Sequence, residues 1–214
     1  MSKELYGSKN LLNAPRLGQA IQEISTGNRV NFSKDDSEKF SKIQHSSEKN
    51  RMLDQVRSNI NNGRIISITA SAAVAEVKDG LQRMRMLVLD AANGACSDDD
   101  RIAIQEKIIQ LKEELSSIAD STQFGSFFLL NGSHPSFEFQ IGTESDKKMT
   151  IDMMNVQPSQ LGGANKIEKI DITEKIFDEN LTSIDEALKA LNAFSVQLEK
   201  NEEFFNNVIE NLTA

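Results

Sequence analysis

Residues 36–93 read DSEKFSKIQHSSEKNRMLDQVRSNINNGRIISITASAAVAEVKDGLQRMRMLVLDAAN, and this segment decides the predicted fold. Apolar or small residues recur in it at alternating intervals of three and four, the spacing of a helix that packs one face against a neighbour. They are Leu53, Val56, Ile60, Gly63, Ser67, Ala70, Val74, Val77, Leu81, Met84, Val88 and Ala91. No proline interrupts the segment, so it predicts one helix roughly 85 Å long at about 1.5 Å per residue.

A helix of this length has to bury its stripe against other long helices or against copies of itself. The larger residues of the stripe form the predicted packing seam: Leu53, Val56, Ile60, Val74, Val77, Leu81, Met84 and Val88. Between them, Gly63, Ser67 and Ala70 narrow the stripe, which favours close approach of a partner helix. An isolated coiled-coil spacer would show the same pattern, but the segments that follow argue against it.

A second helix is predicted after the turn at Asn93-Gly94, because glycine after asparagine favours a turn. Ser97 is the expected N-cap, and Asp100 stands three residues later, as in a capping box. The apolar stripe of this helix is Ile104, Ile108, Leu111, Leu115 and Ile118. The short connection predicts that it folds back antiparallel onto the first helix.

The final helix is predicted to begin near Thr182, with Asp185 as the second member of another capping box. Its stripe is Ile184, Leu188, Leu191, Phe194, Leu198, Phe205, Ile209 and Leu212. Between the second and final helices the period changes to two: Phe137, Phe139 and Ile141 alternate with polar residues, as do Met149, Ile151 and Met153. This alternation on both sides of a turn at residues 142–148 predicts a β-hairpin.

The predicted fold is therefore mainly α: an elongated antiparallel bundle, or rod, of three long helices with a small β-hairpin subregion. Four segments are expected. Residues 1–35 hold an N-terminal helix, over residues 9–25, and a polar linker whose serine and aspartates can cap the long helix. Residues 36–123 hold the first two long helices, residues 124–176 the hairpin and a loop, and residues 177–214 the C-terminal helix.

Composition excludes several classes of partner. The chain has 214 residues, 38% of them hydrophobic, and a formal charge of -8. Because the lysines and arginines are dispersed through an acidic chain, binding to nucleic acid or to anionic membranes is disfavoured. No apolar run reaches the roughly 18 residues that cross a bilayer, and the first residues lack the apolar stretch of a cleavable signal peptide. Neither nucleic acid nor membrane is expected as a partner.

The sequence offers little for catalysis. His45 and His134 lie far apart and lack a second metal ligand four residues away, so both are interpreted as surface residues. Cys96 is the single cysteine, and no histidine adjoins it to make a nucleophile. The acidic run at residues 98–100 lacks the glycine and distal glutamate of a calcium loop. We expect no enzyme activity, no cofactor and no metal.

Several motifs, in order along nearly the whole chain, resemble the bacterial flagellins. They are ISTGNRVNFSKDD at residues 24–36, LQRMRML at 81–87, AANG at 91–94, SDDDRIAIQ at 97–105, FFLLNG at 127–132, FQIG at 139–142 and SIDEAL at 183–188. The resemblance implies a structural subunit of the flagellar filament that self-assembles into the helical tube used for swimming motility. It also implies export through the type III flagellar apparatus to the cell exterior, without a cleaved signal peptide.

Expected partners are then other flagellin subunits, the flagellar cap and hook-associated proteins, and a flagellar export chaperone. Some positions depart from the family pattern: Ser37-Glu38-Lys39 stands where Ala-Ala-Gly is usual, and Ser195 stands where arginine is preferred. Flagellins usually extend beyond the Asn-Leu matched by Asn211-Leu212. The chain is therefore expected to be trimmed at its termini, and to stay monomeric or to associate weakly.

The resemblance also marks a surface that the vertebrate innate flagellin receptor reads in some members of the family. Arg83 and Leu87 match two receptor-facing positions, whereas Lys107 falls where glutamate is expected. This charge reversal, together with Met86 where glutamate is common, predicts weakened recognition. The alternative is that Arg83 and Leu87 are only surface and packing residues.

Three other functions stay open at this point. The hook–filament junction protein, from the same machinery, shares the Ser-Thr-Gly of the linker at residues 25–27. A secreted hydrolase would reveal itself by substrate turnover. An adaptor coiled coil would lack the hairpin predicted over residues 137–153.

Overall fold

The computed structural model describes residues 37–213 together with Ile21, Ile24 and Ser25. The chain divides into two compact units, residues 1–54 and 55–214. In the first unit Ile21, Ile24 and Ser25 are helical, and residues 37–54 form the start of a long helix. The rest of the helix predicted over residues 9–25, and the linker at residues 26–36 with its caps, lie outside the described residues.

The first long helix, α1, spans Ser37–Ala92, within one residue of the prediction at each end. In the second unit every stripe residue from Val56 to Ala91 is buried. Each fully buried aliphatic side chain contributes roughly 1.5–3 kcal/mol to stability. Leu53 is only half-buried, contrary to its expected place in the packing seam.

The second helix, α2, spans Asp98–Ser121, and its predicted capping box is confirmed. The Ser97 hydroxyl accepts the Asp100 N–H at 3.2 Å, and the Asp100 carboxylate accepts the Ser97 N–H at 3.2 Å. These hydrogen bonds with Ser97 hold the pKa of the Asp100 carboxyl below its usual value. The local sequence therefore satisfies donors that the first turn of a helix leaves without partners.

The third helix, α3, spans Phe177–Thr213, so the predicted start at Thr182 with Asp185 in a capping box is wrong. Thr182 lies inside the helix and donates its hydroxyl to the carbonyl of Asp178 at 2.8 Å. Tertiary contacts extend the helix by an additional turn: the buried Asn180 donates Nδ2 to the Asp171 carbonyl at 2.9 Å. Asp185 instead forms an ion pair with Arg85 at 2.8 Å.

Within the second unit, α2 and α3 each run antiparallel to α1, as side-chain contacts show. As the residue number rises along α1, the number of the contacted residue in α3 falls. Arg57 donates to the Leu212 carbonyl, Gly63 lies against Phe205, Lys78 donates to Ser195, and Arg85 donates to Asp185. The same holds for α2: Gly80 lies against Leu115, Arg83 donates to Glu114, and the Ala91 carbonyl accepts a hydrogen bond from Arg101. The predicted mainly α fold of three long helices is confirmed.

The predicted hairpin is confirmed as β3 and β4. To keep chain order, β1 is Gln123–Phe124, β2 is Phe127–Phe128, β3 is Ser136–Gln140 and β4 is Lys148–Asp152. Strands β3 and β4 pair antiparallel with Phe137 opposite Ile151 and Phe139 opposite Met149. Strands β1 and β2 form an additional antiparallel pair of two residues each, which was not predicted from the sequence.

The predicted loop after β4 is held along α2 by side-chain hydrogen bonds. Lys112 donates Nζ to the carbonyls of Glu168 and Ile170, at 2.8 and 2.6 Å, and burial lowers the pKa of its amine. Gln105 also binds this segment, accepting the Ile172 N–H at 3.1 Å. A short 3-10 helix, Ile167–Lys169, lies within it. The segment is thus packed in place although it has little regular structure.

Candidate functional site

A surface groove of about 470 Å3 runs between α1 and α2. It is lined by Arg83, Met86, Leu87, Asp90, Lys107, Gln110, Leu111 and Glu114. These eight residues are called the α1–α2 groove below. Because the two helices are antiparallel neighbours, residues a turn or two apart on each helix face the same groove. The structure therefore brings Arg83, Leu87 and Lys107 together, as the resemblance implied for a single surface.

Arg83 bridges the two helices across this groove. Its Nη2 lies 3.2 Å from Glu114 Oε1, and its Nε lies 3.1 Å from Asp79 Oδ2. Arg83 and Glu114 are about half exposed and Asp79 is 67% exposed, so each ion pair contributes at most about 1 kcal/mol. The bridge orients the guanidinium more than it stabilises the fold. Glu114 was not predicted from the sequence as part of this surface, although it lies two helical turns after Lys107 and so shares its face.

The α1–α2 groove has an apolar floor and a mixed-charge rim. Leu111 is buried and Leu87 half-buried against the core, whereas 58% of Met86 is exposed. Lys107 is exposed and lines the groove with Asp90. A positive side chain thus occupies the rim position that the resemblance assigns to glutamate.

The packing-seam residues have a different location. From Val56 to Val88 they are buried in the core shared by α1 with its neighbours, and none of them lines the α1–α2 groove. Their contribution is therefore to the folding of the second unit.

His45 and His134, the two histidines considered as metal ligands, lie in different surroundings in the described chain. His45 is exposed and lies 3.8 Å from Glu48 in the first unit. His134 was expected at the surface but is half-buried, because its ring stacks on Phe137 and meets the edge of Phe127. Within the described residues, no three His, Cys, Asp or Glu side chains are placed to bind a metal ion together. No described helix combines the length and apolar character needed to span a bilayer.

The sequence is similar to those of known bacterial flagellins. Residues 7–134 match the family model of the bacterial flagellin N-terminal helical region. Flagellin A of Vibrio cholerae is 37% identical over 153 residues, covering 71% of this chain and 40% of that protein. The chain thus spans about 40% of the length of this relative.

Solved structures show the same fold. Bacillus cereus flagellin has a TM-score of 0.63 at 22% identity, covering 74% of this chain and 90% of that one. A putative flagellar hook-associated protein from Vibrio parahaemolyticus has a TM-score of 0.73 at 16% identity, covering 85% of this chain and 94% of that one. At these identities the likeness concerns the fold alone. Because the family model matches more than half of its sequence, this chain belongs to the bacterial flagellin family.

Proposed function

We propose that this chain is a structural subunit of the bacterial flagellar filament, which self-assembles into the helical tube used for swimming. The observation that carries the proposal is the match of residues 7–134 to the flagellin helical region. That match includes α1, α2 and the β1–β2 pair. The role is structural and needs neither catalytic chemistry nor a cofactor.

Outward-facing apolar residues on α1 support a role in assembly. Ile68, Met86 and Leu89 are 40%, 58% and 44% exposed. Met86 follows Ile68 by about five whole turns of helix and Leu89 follows Met86 by just under one turn, so the three share one side of α1, and their exposure shows that this side faces away from the core. A helix that presents apolar side chains outward can contact a second subunit, and contacts that do not close into a ring propagate into a filament.

The proposal also extends to location and partners. The filament lies outside the cell, and export would use the flagellar apparatus without cleavage of a signal peptide. The partners would be other flagellin subunits, the cap and hook-associated proteins, and an export chaperone. A hook–filament junction role shares the fold, since the hook-associated protein of Vibrio parahaemolyticus has it, but the sequence match is to flagellin.

Assembly in cells tests this function. The complete gene that contains this sequence, together with whatever coding sequence flanks it, is expressed in a strain of the same bacterium whose other flagellin genes have been deleted. We expect electron microscopy to show filaments that contain the chain, because each subunit supplies both halves of a propagating contact. Immunogold labelling of the chain along the filament is the measurement.

The matched control is the same strain carrying the empty vector, which should show hooks without filaments. Label confined to the hook tip, with filaments only when another flagellin is supplied, would identify a junction protein instead. Cells with neither filament nor tip label, although the chain is exported, would contradict both roles.

For the α1–α2 groove we propose weakened recognition by the vertebrate innate flagellin receptor, because of Lys107. Reversing the charge with Lys107→Glu is expected to lower the half-maximal concentration in a receptor reporter-cell assay by about tenfold. A tenfold change corresponds to about 1.4 kcal/mol, which lies within the several kcal/mol that like charges placed against each other at an interface can cost.

Lys189→Glu is the control, since Lys189 is also exposed but lies on α3 and does not line the groove. It should leave the half-maximal concentration unchanged. The proposal fails if the unmodified chain already signals as strongly as Lys107→Glu.

A further inference from the structure

Two asparagine–glycine pairs lie in turns of the described chain: Asn93–Gly94 between α1 and α2, and Asn131–Gly132 before β3. Glycine has no Cβ, so its amide nitrogen can approach the side chain of the preceding asparagine more closely than that of other residues. Asparagine–glycine is therefore a sequence at which spontaneous deamidation is chemically easy. The structure surrounds the two pairs differently.

The reaction is intramolecular. The deprotonated amide nitrogen of the glycine attacks Cγ of the asparagine, forming an N–Cγ bond while the Cγ–Nδ2 bond breaks and ammonia leaves. Water then adds to either carbonyl of the resulting succinimide and opens the ring to aspartate or isoaspartate. One water is consumed and one ammonia released, with no change of oxidation state. The step requires rotation of the asparagine side chain and of the glycine backbone.

The Asn93–Gly94 pair has room for that rotation. Asn93, Gly94 and Ala95 are all exposed. No atom outside its chain neighbours lies within 4 Å of the position where a Cβ would stand on Gly94. The Asn93 side-chain carbonyl accepts the Ala95 N–H at 3.1 Å, an Asx turn that keeps Cγ beside the following peptide.

The Asn131–Gly132 pair is held on two sides. Asn131 is half-buried, and the carbonyl of Leu130 beside it accepts the Val156 N–H at 2.8 Å. Gly132 has a φ of 84°. A Cβ placed on it would stand 2.5 Å from Nδ2 of Asn155. Rotation here has to displace the segment that contains Asn155.

We propose that Asn93 is a site of spontaneous deamidation in the folded protein and that Asn131 is protected by its packing. The local hydrogen bonding does not explain the difference, because Asn131 has the same Asx turn, with Ser133 N–H at 3.0 Å. The product at Asn93 adds a carboxylate at the C-terminal end of α1, next to Asp90. Both the helix dipole and that carboxylate make an added negative charge there unfavourable.

The test compares the two sites within one molecule. The purified full chain is incubated in mildly alkaline buffer, once folded and once in guanidinium chloride, and tryptic peptides are followed by mass spectrometry. Residues 86–101 and 113–147 form tryptic peptides that each contain a single asparagine. Isoaspartate is confirmed by enzymatic methylation with a labelled methyl donor.

In the folded chain we expect Asn93 to react at least about tenfold faster than Asn131, since local opening of packed segments costs free energy that exposed turns do not require. In guanidinium chloride the two rates should converge. Gly94→Ala should suppress the reaction at Asn93, and Asn155→Ala should accelerate it at Asn131. Equal folded rates, or an inert Asn93 in the folded chain, would overturn the proposal.

Discussion

Replacing Phe205 with alanine is expected to lower the free energy of unfolding by about 3–5 kcal/mol, the usual cost of truncating a buried phenylalanine. Phe205 is completely buried. Its ring lies against Gly63 of α1 and meets Phe139 of β3 edge-on, at a centroid distance of 6.0 Å. One side chain of α3 therefore packs against both α1 and the hairpin. Urea unfolding followed by circular dichroism measures the loss.

A substitution at Gly63 tests the same contact from the other side, because a Cβ at that position would stand 2.5 Å from Cζ of Phe205. Two effects oppose each other in Gly63→Ala. Overpacking costs about 1–3 kcal/mol, whereas alanine gains about 1 kcal/mol of helix propensity over glycine. Overpacking is expected to win, so the single substitution should destabilise by up to about 2 kcal/mol.

In the Phe205→Ala background the same Gly63→Ala change should stabilise the protein, because the methyl group enters vacated space. The double-mutant cycle should then give a coupling energy of about 2 kcal/mol. Phe204→Ala is the control, since the neighbouring ring is 40% exposed and its truncation should cost about 1 kcal/mol. Additive effects of the Gly63 and Phe205 substitutions would show that the close contact does not limit packing.

Replacing Arg101 with methionine is expected to cost about 2–4 kcal/mol of unfolding free energy, from a charged hydrogen bond, a cation–π contact and an ion pair. Its side chain is only 12% exposed, and Nη1 lies 2.8 Å from Asp98. Its Nε donates to the Ala91 carbonyl at 3.0 Å, and its guanidinium carbon lies 5.9 Å from the centre of the Phe177 ring. Arg101 thereby joins the end of α1 to the starts of α2 and α3. Methionine keeps a similar length of side chain, so the loss reports on the polar contacts.

Arg85→Met is the matched control, because Arg85 makes one ion pair, with Asp185, and its side chain is 42% exposed. An exposed pair of this kind contributes at most about 1 kcal/mol. Asp98 keeps a second partner after the Arg101 substitution, since Lys175 Nζ lies 2.9 Å from it. Chemical unfolding of both variants is the measurement. Equal losses at Arg101 and Arg85 would mean that Arg101 acts only as a surface charge.

The sequence by itself predicted the features that depend on neighbours along the chain. The three-four spacing from Val56 to Ala91 identified both a helix and the face that it buries, because side chains three and four apart lie on one side of a helix. The capping box of Ser97 and Asp100 spans three residues, and the alternation in β3 and β4 has a period of two. These local patterns can be read without knowing which other segment of the chain packs against the helix or strand.

The candidate site was predictable only in part. Arg83, Leu87 and Lys107 were identified by resemblance, but the residues that complete their groove were not. Glu114 lies 31 residues from Arg83 in sequence and reaches it only because α2 folds back on α1. The half-burial of His134 was missed for the same reason, because it depends on the rings of Phe127 and Phe137, which two strand pairs bring against each other and against the histidine.

The start of α3 and the course of the segment after β4 were decided by tertiary structure. At the start of α3, Asn180 donates to the Asp171 carbonyl and the ring of Phe177 packs against Arg101. In the segment after β4, Lys112 donates to carbonyls 56 and 58 residues further along the chain. A local pattern determines which face of an element is apolar, because that follows from the geometry of a single helix or strand. Which polar groups end a helix or hold a loop depends on atoms that only the folded chain brings within hydrogen-bond distance.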